Sequence, residues 1–215
     1  MILSFIEEFY DKLDICNLNT IIGILMIVIC PITWNLVARY EFYTKKITKI
    51  CGNNNLLAAD IFAHILIEMG IFRNYMFTRT MNNTPHMEFF ETTEMFITII
   101  SSILIACSVF IVAGSYWQLG IHGIYYADYF GILMDEKVTE FPYNILENPL
   151  YIGSQSLFFS LALYNRSPTG IFMFVVASIM YRVASFLENP MTDLIYSEEN
   201  RMKVIEENKL RKLSN

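Results

Sequence analysis

Carboxylates in two stretches of the second half of the chain could support chemistry on a cationic group. Glu188 directly follows the last long apolar stretch and is close to Pro190, while Asp128 and Glu147 come earlier. A carboxylate placed where an apolar helix leaves the membrane can stabilise a cation, at a lower desolvation cost than at the bilayer centre. On residue types alone, Glu188 also fits a surface glutamate beside a helix-ending proline, and Asp128 and Glu147 fit solvated loop carboxylates.

The stretch between these carboxylates combines a helix start with small and aromatic residues. In Asn148-Pro-Leu-Tyr-Ile-Gly153, Pro149 suits the first turn of a helix and Gly153 permits close approach to the backbone. The aromatic side chains nearby could face a methylated cation, although aromatics at a bilayer interface need no such role. The second interpretation is favoured for most members of that group, which comprises Tyr125, Tyr126, Tyr129 and Tyr151.

A third polar group recurs every four residues. Asp60, His64 and Glu68 would share one helix face, a spacing that resembles a set of metal ligands. Ionisable residues within membrane segments usually face a bundle interior or a cavity. We therefore favour a polar packing stripe and predict no metal site.

The composition indicates what must position these residues. The chain is 54% hydrophobic and 17% charged, against roughly 45–50% and about 25% in soluble domains. Residues 95–127 contain no charge and exceed the ~20 residues that cross a bilayer core. The net charge of −6 lacks the clustered basic residues that nucleic-acid binding needs. The sequence predicts an integral membrane protein and excludes a nucleic-acid partner.

Hydropathy and turn signals predict an all-α, polytopic bundle of four to five membrane helices. The expected spans cover residues 19–40, 56–72 and 93–117, with a polar loop from Asn74 to about Thr92, and the last apolar region, 150–187, is broken by Asn165-Arg-Ser-Pro-Thr-Gly170. That turn predicts a C-terminal helical hairpin whose short first limb is tilted or re-entrant. The predicted divisions are an amphipathic interfacial segment at 1–18, a membrane domain at 19–190 and a charged tail at 191–215.

The distribution of basic residues predicts the orientation. With a hairpin, most lysines and arginines lie on the side of the first loop and the tail, including Arg39, Lys45, Lys46 and Lys49. The positive-inside rule then predicts a cytosolic tail.

Five sequence blocks follow one another in the order and spacing of a known family: Trp34–Glu41, Asp128–Leu133, Phe141–Ser154, Ser167–Gly170 and Glu188–Thr192. The chain resembles the phosphatidylethanolamine N-methyltransferase family at these blocks, over about residues 20 to 200. The resemblance implies an enzyme of the endoplasmic reticulum membrane, in some organisms also at mitochondrial contacts. Its activity would be stepwise methylation of phosphatidylethanolamine and its mono- and dimethyl derivatives toward phosphatidylcholine. The substrate would be a phospholipid within the membrane and the cofactor S-adenosylmethionine.

The same resemblance implies site residues. The family's Gly-x-Gly cofactor motif is matched here by Ala106-Cys107-Ser108, and its Glu-Glu pair by Glu188-Asn189. Both motifs are altered, but the first keeps small residues and the second one carboxylate. Tyr151 and Gly153 belong to a block that lies at the cofactor site in the family.

A substrate amine bound as ammonium must lose a proton before it attacks, which makes Asp128 and Glu147 candidates for the base or for holding the ammonium group. Two alternatives are a membrane lipid-binding protein that kept the fold and lost activity, and an enzyme resembling isoprenylcysteine carboxyl methyltransferases. Asn148 stands where the latter group has histidine, which argues against it.

Overall fold

A computed structural model of the chain describes residues 2–134 and 138–214. The described residues form helices joined by turns and loops, with no strand among them, which confirms the all-α prediction. The helices are α1 (Ile2–Asp11), α2 (Leu18–Thr44), α3 (Lys46–Ile50), α4 (Asn55–Asn82), α5 (Glu91–Ile124), a 3-10 turn (Ala127–Phe130), α6 (Pro149–Tyr164), α7 (Pro168–Ile195) and α8 (Glu198–Ser214).

Four of these helices, α2, α4, α5 and α7, are long and apolar enough to cross a membrane. The protein is a multi-pass membrane protein. Helix α6 has 16 residues, or about 24 Å at 1.5 Å per residue, and forms with α7 the hairpin that the sequence predicts.

Local signals explain where several of these helices begin. The Asn17, Asn54 and Ser167 side chains accept hydrogen bonds from backbone N–H groups in the first turns of α2, α4 and α7. Pro149 occupies the first turn of α6, where its missing N–H costs nothing. These caps fix the helix starts close to the positions that the hydropathy pattern predicts.

The helices alternate in direction, so that the bundle has two ends. At the first, the Arg39 guanidinium donates to the Leu187 carbonyl and Lys45 Nζ donates to the Tyr129 carbonyl over 3.1 Å. We call this the Glu188 end. At the other, the Met87 N–H donates to the Arg166 carbonyl over 2.8 Å, and Arg166 pairs with Glu94 at 2.5 Å. Helix α6 runs from the first end to the second and α7 returns.

Two predicted boundaries are wrong. The expected polar loop begins at Asn83 rather than at Asn74, because α4 continues to Asn82 with polar residues that bond within the helix, as Arg79 does to the Tyr75 hydroxyl over 2.6 Å. The third span extends past Trp117 to Ile124, with a kink at Gly120 (φ 63°, ψ −179°). The interfacial position of residues 1–18 stays a prediction.

Candidate active site at the Glu188 end

A cavity of about 260 Å³ opens at the Glu188 end between α4, α5, α6 and α7. Its wall combines carboxylates with many aromatic side chains. The lining residues include Trp34, Gly70, Arg73, Gly123, Tyr126, Asp128, Tyr129, Tyr143, Asn148, Tyr151, Tyr181 and Glu188.

The Glu188 carboxylate of α7 is bonded to three other segments of the chain. Its Oε1 accepts hydrogen bonds from Asn35 Nδ2 of α2 at 3.1 Å, from the Tyr151 hydroxyl of α6 at 2.5 Å, and from the Tyr126 hydroxyl just after α5. Asn35 is fully buried and also donates to the Pro31 carbonyl at 3.1 Å. Bonds from neutral donors stabilise the ionised form of a buried carboxylate and fix its position. Glu188 is therefore a preorganised acceptor in the cavity wall.

Asp128 reaches the same cavity from the 3-10 turn after α5. It is half-buried, and its Oδ1 accepts from the Tyr129 N–H at 3.1 Å. The turn ends at Gly131, whose φ of 83° favours glycine and whose added Cβ would lie 3.3 Å from Asn55 Nδ2. The Asp-Tyr-Phe-Gly spacing thus places one carboxylate in the cavity and lets the chain turn beside α4.

One polar group in the wall, the Tyr129 hydroxyl, is buried without a hydrogen-bond partner among the described residues. Buried polar groups normally have hydrogen-bond partners, so this hydroxyl suits a ligand with polar groups of its own. The Trp34 indole N–H of the same wall interacts with Glu188. Burial also raises the pKa of the Tyr143 phenol, which keeps it a neutral donor at the rim.

Of the residues predicted from sequence, the structure brings Asp128, Tyr151 and Glu188 together on this cavity. The others lie elsewhere, and their predicted roles stay predictions. Ala106 and Cys107 are exposed on α5, and the buried Ser108 donates to the Leu104 carbonyl of its own helix at 2.7 Å.

Three further predicted residues also lie outside the cavity lining. Gly153 is buried where α6 meets α5, and a Cβ there would lie 2.9 Å from Val112 Cγ2. The missing side chain of Gly153 thus lets α6 pack closely against α5, as the residue type predicts. Asn189 and Glu147 are exposed.

Sequence reasoning missed three cavity features. Gly123 lines the cavity one turn after the Gly120 kink, so a Gly-x-x-Gly spacing directly before the Asp128 block was an available signal. Arg73 and Asn35 reach the site from α4 and α2. Their roles depend on contacts between distant segments, which no local pattern encodes.

The Asp60 stripe has a different partner from the one its spacing suggests. Asp60 Oδ1 lies 2.8 Å from Nε2 of His122 on α5, and the His64 ring bonds to the Asp60 carbonyl at 2.7 Å. Asp60 and His64 are thus engaged in contacts within α4 and between α4 and α5, while Glu68 is exposed.

The sequence has informative relatives. Residues 96–199 match the family described as phospholipid methyltransferase. The chain is 34% identical to phosphatidylethanolamine N-methyltransferase A of Dictyostelium discoideum over 195 residues, covering 91% of this chain and 90% of that protein. It is also 34% identical to phosphatidyl-N-methylethanolamine N-methyltransferase of Saccharomyces cerevisiae, covering 92% and 95%, and to human phosphatidylethanolamine N-methyltransferase, covering 82% and 87%. No solved structure matches the chain.

Proposed function

The chain belongs to the phospholipid methyltransferase family and methylates phosphatidylethanolamine or its partly methylated derivatives toward phosphatidylcholine, and we propose that this transfer takes place in the cavity beside Glu188. The observation that carries the proposal is the half-buried Glu188 carboxylate, held by three donors from three other segments. A fixed negative charge at the end of a membrane bundle suits a reaction whose two partners both carry positive charge.

The residues present fit S-adenosylmethionine as the methyl donor. When bound, this cofactor supplies a methyl group on a sulfonium, which an amine nitrogen can accept. Glu188 would hold its cationic part, and the Tyr129 hydroxyl would bond one of its polar groups. Gly123 lines the cavity at a crowded position, where an added Cβ would lie 3.0 Å from Leu119 Cβ and 3.2 Å from Met134 Sδ.

Asp128 is suited to the substrate amine. An amine bound as ammonium is attracted to a carboxylate and must lose its proton before its nitrogen can attack. Asp128 accepts hydrogen bonds from its own backbone N–H and from that of Tyr129, whereas Glu188 Oε1 accepts from three side chains of other segments. We assign Asp128 to binding the ammonium group and accepting its proton, and Glu188 to the cofactor. Alignment of the two partners supplies much of the remaining rate enhancement.

Two carboxamide substitutions test these assignments. We expect Glu188→Gln to weaken binding of S-adenosylhomocysteine about tenfold or more, because it removes a charge worth at least ~1.4 kcal/mol. Asp128→Asn should keep that binding and lower the methylation rate by about 10² or more. Binding is measured by calorimetry on the purified protein, and activity by transfer of labelled methyl groups to monomethyl- and dimethyl-phosphatidylethanolamine.

Asp193→Asn is the matched control, because Asp193 is an exposed carboxylate on the same helix as Glu188 and does not line the cavity. Its binding and rate should equal those of the unmodified protein. A Glu188→Gln protein that is folded and binds S-adenosylhomocysteine normally would contradict the assignment.

We also propose the endoplasmic reticulum membrane as the location, with residues 19–190 as the membrane domain and the Glu188 end in the cytosol. Arg39, Lys45, Lys46 and Lys49 lie at that end, and positive-inside bias places such a cluster on the cytosolic side. A water-soluble cofactor would enter there. Rates on the unmethylated, mono- and dimethylated lipids would establish which methylation steps the enzyme performs.

A further inference from the structure

Arg73 is a charged residue in the wall of the cavity, within the long membrane helix α4. It is half-buried, and it lines the cavity together with Gly70 one turn earlier. The guanidinium carbon lies 5.4 Å from the ring centre of Phe158 and 5.8 Å from that of Tyr181. The aromatic faces hold the guanidinium in place without neutralising it.

No acidic side chain among the described residues lies within 4.0 Å of Arg73. Its described hydrogen bonds, from Nε and Nη2, go to the neutral Asn74 Oδ1 at 3.3 and 3.2 Å. A cation inside a membrane segment normally pairs with an anion, and an unpaired one points to a function with an ionic partner. The partner of Arg73 is therefore expected to come from a ligand.

The depth of Arg73 indicates which ligand. Tyr181, which the guanidinium faces, precedes Glu188 by seven residues on α7, or about 10 Å along the helix axis. Going inward from the Glu188 end, the cavity thus presents carboxylates first and a guanidinium second. A phospholipid bound with its headgroup toward that end presents its amine first, its phosphate second and its acyl chains last.

The flank of α4 beside Arg73 suits the acyl chains. Ile71 and Phe72 are exposed, at 64% and 45% of their surface. A Cβ added to Gly70 would meet nothing within 4 Å, so the cavity is open on this side. S-adenosylmethionine also carries an anionic group, its carboxylate. As a soluble ligand that enters from the Glu188 end, it does not need a positive charge at the depth of Arg73.

We propose that Arg73 binds the phosphate of the phospholipid substrate and thereby orients the headgroup amine toward Asp128 and Glu188. Guanidinium groups bind phosphate oxygens through two parallel hydrogen bonds, which fix both position and orientation. This inference rests on the proposed function, because it takes the cavity to be the methylation site.

Lipid binding without turnover tests it. The full-length protein is purified in detergent and titrated with phosphatidylcholine, which as the fully methylated product cannot react further. We expect Arg73→Gln to weaken this binding about tenfold or more, and Arg73→Lys to weaken it less, because lysine keeps the charge and loses the paired geometry. In the methylation assay, Arg73→Gln should raise KM for the lipid and leave KM for S-adenosylmethionine unchanged.

Arg79→Gln is the matched control. Arg79 also lies on α4 and faces an aromatic ring, that of Tyr75 at 5.8 Å, but it bonds to the Asn19 and Tyr75 side chains and does not line the cavity. Its lipid affinity should equal that of the unmodified protein.

A second measurement needs no variant and covers the case in which Arg73→Gln does not fold. The unmodified protein should bind an analogue of phosphatidylcholine whose phosphate is methylated to a neutral triester at least about tenfold more weakly than phosphatidylcholine itself. Equal affinity for the two lipids would overturn the proposal. So would a folded Arg73→Gln protein with normal lipid binding, or one that loses S-adenosylhomocysteine binding and keeps lipid binding. If lipid binding depends on Arg73 while Glu188→Gln and Asp128→Asn leave methylation unchanged, the phosphate contact stands and the proposed placement of the transfer in this cavity fails.

Discussion

At the scale of single residues, the hydrogen bonds to Glu188 determine how well the carboxylate is held. The Tyr151 hydroxyl donates to Oε1 over 2.5 Å from a helix whose first turn Pro149 fixes. A hydrogen bond to a charged group contributes roughly 1.5–3 kcal/mol. The position of the carboxylate therefore depends on tyrosine hydroxyl groups. A hydropathy pattern identifies these tyrosines only as interfacial aromatic residues.

Tyr151→Phe should lower kcat/KM for lipid methylation by about tenfold to a hundredfold, because it removes one such bond to a charged group and keeps the ring. Tyr164→Phe is its control, since Tyr164 is exposed at the opposite end of the same helix. Initial rates at varied lipid and cofactor concentrations provide the measurement. Equal rates for the two variants would show that the bond seen here does not support the reaction.

Gly70 offers a steric test of the cavity. An added Cβ has open space, so Gly70→Ala should be tolerated and should stabilise α4 by about 0.5–1 kcal/mol through helix propensity. Gly70→Leu projects a larger side chain into the cavity and should abolish most lipid methylation while thermal unfolding in detergent stays close to that of Gly70→Ala. Full activity of the leucine variant would mean that the substrate does not use this side of the cavity.

At the scale of secondary-structure elements, the kink in α5 carries the aromatic and acidic residues that follow it into the site. Gly120 has φ 63° and ψ −179°, a combination that residues with a Cβ adopt only under strain. Gly123, Tyr126 and Asp128 come after it and all line the cavity. The segment after the kink therefore builds part of the site, and Tyr116 and Leu119 before the kink line the cavity as well.

Gly120→Ala should destabilise the protein by about 1–3 kcal/mol or shift the segment after the kink, since space is available and only the backbone conformation is strained. The comparison is Ala113→Gly in the regular part of α5, which should cost about 0.5–1 kcal/mol. Thermal unfolding in detergent measures both. If Gly120→Ala proves no more harmful than Ala113→Gly, the backbone at Gly120 is not restrained as described.

The sequence predicted where helices start better than where they end. Polar caps such as Asn54 mark a start, but the apolar pattern of α4 fades near Phe72 although the helix continues to Asn82. Hydropathy reports burial in lipid, whereas a helix persists as long as its backbone bonds and polar side chains are satisfied. The predicted start of the loop at Asn74 was wrong for this reason.

The site was predictable only where one short segment carried the signal. Asp128, Tyr151 and Glu188 each lie in a block that resembles the family, and each reaches the cavity. The Asn35 bond to Glu188 joins residues 153 positions apart, and Arg73 looked like a flanking charge because its hydropathy window ends there. Such contacts follow from how the helices pack, and a single sequence does not contain that information in local form.

At the scale of the whole molecule, the number of crossings determines which sides the two terminal regions occupy. Helices α2, α4, α5, α6 and α7 each run from one end of the bundle to the other. If the short α6 crosses the membrane as the other four do, the number of crossings is five, and we expect residues 12–17 and the start of α8 on opposite sides of the membrane. A re-entrant α6 that returned to the Glu188 end would give an even number and place them on the same side.

Thiol accessibility in sealed microsomes, whose cytosolic face is outward, distinguishes these cases. Cys16 is exposed, and Glu198 is exposed at the start of α8. One variant keeps Cys16 as its single cysteine. The other carries Glu198→Cys, with every native cysteine replaced by serine. An impermeant maleimide should label the Glu198→Cys thiol in intact vesicles and Cys16 only after detergent opens them, because positive-inside bias places the Glu188 end in the cytosol. Labelling of both thiols in intact vesicles would reject the five-crossing arrangement. Labelling of Cys16 alone would keep five crossings and reverse the orientation, which would place the cofactor entrance on the lumenal side.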